Sequence, residues 1–148
     1  MSMNMTMRSQ MLKIVFENAF SDIKKKYNLT ITEIRILLFL AMNENKNTAR
    51  DMTEDIMIAK SHISLSVESL INKEIVIKIP DEKDKKKMHL IICSNKKYII
   101  EELLERQKEL NNSITRGLTT EEVEELGRLL DKVRINIKNL IEKFETYE

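Results

Sequence analysis

The sequence predicts a mainly α-helical protein with one small β element. Its 148 residues include only 2 Gly and 1 Pro, whereas the many tight turns of an all-β chain favour these residue types. Most segments place apolar residues at the 3- and 4-residue spacings of helices, and only residues 75–93 change to β-branched runs. Because this length suits one ordinary domain, we expect residues 1–148 to form a single domain.

The composition argues against several classes of protein. A single cysteine, Cys93, excludes an intrachain disulfide and favours a reducing cytoplasm. No apolar run approaches the roughly 18 residues of a membrane span. Neither a catalytic constellation nor a metal-ligand cluster is evident, and His62 and His89 have no ligand-spaced neighbours. We therefore expect a cytoplasmic protein that is not an enzyme, with no cofactor, no metal ion and no membrane association.

The first two predicted helices contain most of the core. Residues 10–27 have the apolar periodicity of an amphipathic helix. Thr30 and Glu33 have the spacing of a capping box, which predicts a helix over residues 31–43. That helix is almost continuously apolar from Ile34 to Met42, so we expect it at the centre of the core.

A short helix, a tight turn and a longer helix follow. Thr48 precedes the short helix, in which Met52 and Ile56 share one face. After a turn at residues 57–59, a helix is predicted over residues 60–73. Residues 75–79 then read as a strand that stops at Pro80, and residues 88–93 as its partner. The charged run 81–87 between them predicts the tip of a hairpin.

Two long helices complete the chain. Ser94 is a candidate N-cap for a helix that extends to Arg116, and Gly117 is expected to end it in a left-handed conformation. Thr119 and Glu122 form a second capping box. It precedes a helix to residue 144 whose apolar residues have heptad-like spacing, namely Val123, Leu126, Leu130, Val133, Ile137 and Leu140 or Ile141.

This order of elements is that of a winged helix-turn-helix, in which the second helix enters the major groove of DNA. The long flanking helices would have little to bury against in a monomer, but two chains could bury them against each other. The expected architecture is therefore a winged helix-turn-helix over about 30–93, a linking helix over about 94–116, and dimerisation helices over about 10–28 and 118–147.

The chain resembles the MarR family of transcription regulators over nearly its whole length. The motifs that carry the resemblance are Leu29-Thr30, the segment Ile58-Ala59-Lys60-Ser61-His62-Ile63-Ser64 with Leu70 and Ile75-Val76 beyond it, the wing run 81–86, and Ser94-Asn95-Lys96-Lys97. The resemblance implies a homodimer in which each winged unit reads half of a palindromic operator in double-stranded DNA. It also implies repression that a small aromatic or amphipathic effector, or thiol oxidation, relieves.

The charge distribution supports DNA binding independently of the resemblance. The formal charge of the whole chain is only +1. Residues 72–100, however, hold 8 Lys and 4 acidic residues, which gives +4, and residues 101–148 hold 8 basic and 12 acidic residues, which gives −4. The remainder, residues 1–71, carries +1. The basic segment is the wing, and a local basic patch attracts phosphate.

Eight residues are the candidate DNA contacts. Five lie on the outward face of helix 60–73 and three at the wing, namely Lys60, Ser61, His62, Ser64, Leu65, Lys85, Lys86 and Lys87. Lysines bind phosphates, whereas serines bond phosphates or base edges. The alternative is that both groups are ordinary solvated surface.

Two of these candidate contacts depart from the family pattern. Leu65 and Lys86 stand where the family has Arg, and lysine lacks the flat bidentate fork of a guanidinium. Leu65 suits contact with thymine methyl groups, or is a partly packed surface leucine. Glu68 would repel any phosphate that it faced. These departures favour an A·T-rich operator read mainly through the wing, and leave open a protein-interaction module (an antirepressor or dimerisation partner) that binds no DNA.

Two further residues have alternative interpretations. Glu74 stands at the family's glycine position after helix 60–73, where a left-handed backbone would cost a glutamate about 1 kcal/mol. The turn is therefore either left-handed at that cost or built differently. Cys93 is expected to be buried in a β run rather than to be a reactive thiolate, which would need a lowered pKa.

Overall fold

The computed structural model describes residues 5–56 and 58–146, with side chains from Arg8 onward. The mainly α-helical prediction is confirmed. The helices of this described part are α1 Met5–Ala19, α2 Ser21–Lys26, α3 Ile31–Met42, α4 Ala49–Ile56, α5 Lys60–Asn72, α6 Lys97–Ile114 and α7 Thr120–Glu145. The strands are β1 Val76–Pro80 and β2 Met88–Ile92. The chain divides after Leu110 into two compact units.

The first predicted helix is two helices, because the chain bends at Phe20. Phe20 has φ −102° and ψ 5°, and its side chain is fully buried. The bend leaves the Ala19 carbonyl without a helical partner, and the Arg106 guanidinium donates to it. Arg106 also binds both carboxylate oxygens of Asp22, at 2.6 and 2.9 Å. A partner on α6 thus compensates the break, which local periodicity could not predict.

Helix α3 forms the centre of the core, as predicted. Its capping box is present: the Thr30 hydroxyl accepts from the Glu33 N–H at 3.1 Å, and the Glu33 carboxylate accepts from the Thr30 N–H at 3.0 Å. Ile34, Ile36 and Leu37 are fully buried. Helix α3 contacts α4, α5 and β2, so it is the scaffold on which the helix-turn-helix rests.

A lysine neutralises the buried end of this capping box. The Glu33 side chain is only 2% exposed, and Lys73 at the C-cap of α5 donates to its Oε2 at 2.8 Å. Lys73 Nζ also donates to the carbonyl of Asn28, a residue with a left-handed φ of 51°. A charged hydrogen-bonded group therefore fastens the C-terminal end of α5 to the N-terminal end of α3.

Glu74, directly after that lysine, is left-handed with φ 57°. Of the two turn geometries expected for the family's glycine position, the left-handed one is present and the alternative is wrong. The Glu74 and Ile75 N–H groups donate to the carbonyls of Ile71 and Leu70 at 2.9 and 3.0 Å. These two hydrogen bonds close α5 and offset the cost of the conformation.

Strands β1 and β2 form the predicted hairpin. Ile77 pairs with Ile91 and Ile79 with His89 in an antiparallel register. Val76 and Leu90 are buried at 1% and 3% exposure, so one face packs on the helices while the other is open. The Leu90 N–H donates to the Asn47 carbonyl at 2.8 Å, which ties this strand to the segment before α4.

Two predictions beyond the second strand are wrong. Cys93 lies after β2 and is partly exposed, not buried within a strand. Ser94 begins a short 3-10 turn, Ser94–Lys96, and does not cap a long helix, because α6 begins only at Lys97. The Cys93 N–H donates to the Ile75 carbonyl at 2.8 Å. That bond prolongs strand-like pairing by one residue and displaces the start of the helix.

The C-terminal unit consists mainly of α7. Thr119 and Glu122 form the predicted capping box, with bonds of 2.8 and 3.1 Å. Gly117 is left-handed with φ 87°, as expected. Helix α7 has no buried residue. Even its apolar side chains are open to solvent: Leu130, Ile137, Leu140 and Phe144 are 45 to 65% exposed. None of the described helices is long and apolar enough to span a bilayer.

Candidate nucleic-acid interface

Helix α5 separates an inner and an outer face at helical spacing. Its inner positions Ile63, Val67 and Leu70 are buried in the core. The predicted contact residues Lys60, Ser61, His62, Ser64 and Leu65 are all exposed. Leu65 is 68% exposed, so the interpretation of it as a partly packed leucine is not supported. The structure thus brings these five side chains together on one solvent-facing surface.

The N-terminal end of α5 has no side-chain cap. Ala59 occupies the N-cap position, and its carbonyl accepts from the Ile63 N–H at 3.1 Å. The N–H groups of the three preceding residues therefore lack an intrahelical acceptor. Oriented N–H groups and the positive end of the helix dipole attract an anionic group such as phosphate. Ser61 and Ser64 add hydroxyl groups to the same end of the helix.

Glu68 does not present an uncompensated negative charge. Its Oε1 lies 3.0 Å from Nζ of Lys78 on strand β1. Both side chains are substantially exposed, at 61% and 38%, so the pair contributes at most about 1 kcal/mol to stability. Its main effect is electrostatic: it reduces the repulsion of phosphate expected from Glu68. Sequence reasoning missed Lys78, because strand pairing places it beside α5.

Two of the three acidic residues of the wing loop, Asp81 and Asp84, bond to the loop's own backbone. Asp81 Oδ2 accepts from the N–H groups of Lys83 and Asp84 at 3.0 and 2.9 Å. Asp84 Oδ1 accepts from the Lys86 N–H at 3.0 Å. These carboxylates therefore shape the tip, while the candidate contacts Lys85, Lys86 and Lys87 are exposed together with Lys83.

His89 holds the base of this loop. Its Nε2 lies 2.7 Å from Asp81 Oδ1, and its Nδ1 lies 2.6 Å from Asn47 Oδ1. The imidazole, followed by the Asp84 and Lys83 N–H groups, lowers the pKa of Asp81 to about 2 from its ordinary 3.8. Sequence reasoning did not single out Asn47, which is 42 residues away. The strand register, which places His89 near the wing loop, was the only available signal.

Among the residues that the structure describes, no group of three or more potential ligands could hold a metal ion. The arrangement offers instead a helix with an open N-terminal end and a lysine-rich wing loop, and the carboxylates of Glu68, Asp81 and Asp84 are compensated by hydrogen bonds or an ion pair. Such a surface is suited to a polyanion.

The fold and this surface define a winged helix-turn-helix transcription regulator. The model of the transcriptional regulator SarA/Rot family matches residues 18–103, more than half of the chain. The chain belongs to the SarA/Rot family of transcriptional regulators. No curated protein sequence matches the chain significantly.

Solved structures of MarR-family regulators share the fold. One, from Listeria monocytogenes and complexed with a 26mer DNA, has a TM-score of 0.83 and 17% identity, covering 94% of this chain and 91% of that one. The regulator MarR from Oenococcus oeni has a TM-score of 0.70 and 25% identity, covering 84% and 96%. The S. aureus MepR–DNA complex has a TM-score of 0.75 and 14% identity, covering 91% and 96%.

The expected relation to MarR regulators is confirmed, and the matching family model represents a related family. The family and these neighbours are transcriptional regulators rather than enzymes.

Proposed function

We propose that the protein is a homodimeric repressor that binds a palindromic, A·T-rich operator in double-stranded DNA and that a small ligand releases. The proposal rests on the occurrence of two surface features in the same winged unit, one on α5 and one on the wing loop. The outer face of α5 is exposed with an uncapped N-terminal end, and Asp81 and Asp84 of the wing loop bond to the loop's own backbone beside exposed lysines. Two of the solved structural neighbours, the Listeria monocytogenes regulator and S. aureus MepR, were determined with DNA.

The contacts divide into two chemical roles. Lys60, Lys85, Lys86 and Lys87 would bind phosphates and supply affinity that falls with salt. Ser61, His62, Ser64 and Leu65 would face base edges in the major groove. The 68% exposure of Leu65 supports an apolar contact with thymine methyl groups, and hence the A·T-rich operator.

Dimerisation is proposed from the apolar residues that helices of this chain leave exposed. Helix α7 presents Leu126, Leu130, Ile137, Leu140 and Phe144 to solvent, and α1 presents Met11, Leu12, Ile14 and Val15. Single exposed apolar residues are common, but contiguous stripes of this length mark interaction surfaces. The 3- and 4-residue spacing along α7 is that of a helix packed on another helix. We therefore propose each stripe, taken by itself, as a surface that packs against a second copy of the chain.

The repressor role and the effector rest on the resemblance to MarR regulators. The effector would be a small aromatic or amphipathic molecule, because the family's ligands have that chemistry. A relieving ligand must bind the DNA-free form more tightly than the DNA-bound form. Titration of candidate aromatic acids into the protein–operator complex tests this, and release of DNA is the expected result.

Selection of binding sites from random duplex DNA tests the proposed function. We expect enrichment of a palindrome with A·T-rich half-sites, whose centres lie about 10 base pairs, or a multiple, apart. Enrichment of single, unpaired half-sites would contradict the dimer. Failure to enrich any sequence, with no retention of duplex DNA at low salt, would contradict DNA binding altogether.

One observation favours a second candidate, a protein-interaction module on the same fold. Leu65 is a large apolar side chain at the exposed face of α5, where the MarR pattern has Arg. A gel shift on A·T-rich duplex at low salt discriminates the two functions. Absence of a complex at micromolar dimer would favour an antirepressor or dimerisation partner, whereas a salt-sensitive complex would favour the DNA-binding regulator.

Lys86→Ala tests the wing directly. We expect weaker binding to many sequences, and a plot of log affinity against log salt that is flatter by about one unit for each bound protomer. Lys108→Ala, which removes an exposed lysine of α6, is the matched control and should preserve the slope. A Lys86→Ala protein with unchanged affinity and slope would remove the wing from the interface.

A further inference from the structure

We propose that His89 is a positioning residue of the DNA interface, which joins the wing loop to the segment before α4 without contacting DNA. This role rests on the proposed function. The carrying observation is that one imidazole bridges two segments: Nε2 lies 2.7 Å from Asp81 in the loop, and Nδ1 lies 2.6 Å from Asn47 before α4. The ring is partly buried, at 28% side-chain exposure.

Asp81 transmits the position of His89 to the lysine tip. One of its carboxylate oxygens contacts the imidazole, and the other accepts from the backbone N–H groups of Lys83 and Asp84. The Asp81 N–H also donates to the Lys87 carbonyl at 2.9 Å, which closes the loop. A shift of Asp81 would therefore move the whole backbone segment that carries the wing lysines.

Asn47 anchors the other side of the ring to the helix-turn-helix. Its carbonyl accepts from the Leu90 N–H at 2.8 Å, so two bonds join Asn47 to strand β2. The next residue, Thr48, is buried, and its hydroxyl bonds the Asp51 carboxylate of α4 at 2.7 Å. The wing loop is thus connected through His89 and Asn47 to the first turn of α4, the first helix of the helix-turn-helix.

A double-mutant cycle tests the role. His89→Leu removes both bonds, and we expect DNA affinity to fall about tenfold and the salt slope to flatten. The triple variant Lys85→Ala, Lys86→Ala, Lys87→Ala should bind weakly, and addition of His89→Leu should cause little further loss. This lack of additivity shows that His89 acts through the wing lysines. A merely structural role would instead weaken both backgrounds equally.

Two controls keep the test independent of folding. Asn47→Ala leaves the loop sequence intact and should flatten the salt dependence of DNA affinity, as His89→Leu does. Glu82→Gln should leave that salt dependence as steep as in the unaltered protein. Thermal unfolding of each variant verifies that it is folded. Glu82 neighbours Asp81 but makes no hydrogen bond or ion pair within the described residues.

Full additivity in the cycle would overturn the role of His89. Failure of the unaltered protein to bind any DNA would overturn the proposed function, and this role with it.

Discussion

Leu130→Asp is expected to convert the protein to a monomer and to lower its operator affinity by about two orders of magnitude or more. Leu130 is 54% exposed on the apolar stripe of α7. In the proposed dimer, each protomer would then bury an unpaired carboxylate, which costs several kcal/mol. Loss of the second half-site removes the effective-concentration gain of bivalent binding, which is of order 10² to 10⁴.

The measurements are the molar mass in solution and the gel shift on the selected operator. Asn139→Asp is a charge-matched control, because Asn139 lies on the same helix at an exposed position outside the 3- and 4-residue spacing. It should remain dimeric. If the Leu130→Asp protein keeps the mass of a dimer at micromolar concentration, this stripe is not the interface.

Lys73→Met should lower the free energy of unfolding by about 2 to 3 kcal/mol, because it leaves a buried carboxylate without its counterion. Glu33 is 2% exposed and Lys73 26% exposed, with 2.8 Å between Nζ and Oε2. The effect belongs at the low end of buried pairs, since Glu33 keeps its bond from the Thr30 N–H. Urea unfolding followed by circular dichroism measures it.

A second substitution identifies the cause of that loss. Glu33→Gln in the Lys73→Met background removes the unpaired charge, retains an acceptor for the Thr30 N–H, and should restore part of the stability. Lys46→Met, which removes a lysine from an exposed pair with Asp55, should cost less than about 1 kcal/mol. Equal losses for Lys73→Met and Lys46→Met would show that burial of Glu33 does not matter.

Features that depend on neighbouring residues could be predicted from the sequence. Both capping boxes, at Thr30 and Thr119, are present because each needs only a hydroxyl and a carboxylate three residues apart. The wing strands follow from β-branched runs: β2 begins at Met88 as predicted, and the other three strand bounds differ by one residue. The outer face of α5 follows from the spacing of its buried residues.

Features that depend on residues far apart in the chain could not be predicted from the sequence. At the bend, the Ala19 carbonyl accepts a hydrogen bond from Arg106, which lies 87 residues further along the chain. The pairs of His89 with Asn47 and of Lys73 with Glu33 join residues separated by 42 and 40 positions. No local pattern encodes such contacts. The DNA contacts and the dimer involve a second molecule, and they stay predictions.

The two ends of α5 differ in their stabilising contacts, so the local stability of this helix varies along its length. Its C-terminal end is fastened through Lys73 to α3, whereas its N-terminal end has no side-chain cap. Local opening, and with it amide hydrogen exchange, should be fastest in the first turn and slowest near Leu70. A phosphate bound at the first turn would supply the missing cap. The first turn of α5 would then become fully ordered only on the DNA. Protection of the Ser61 and His62 amides from hydrogen exchange would report that the operator is bound.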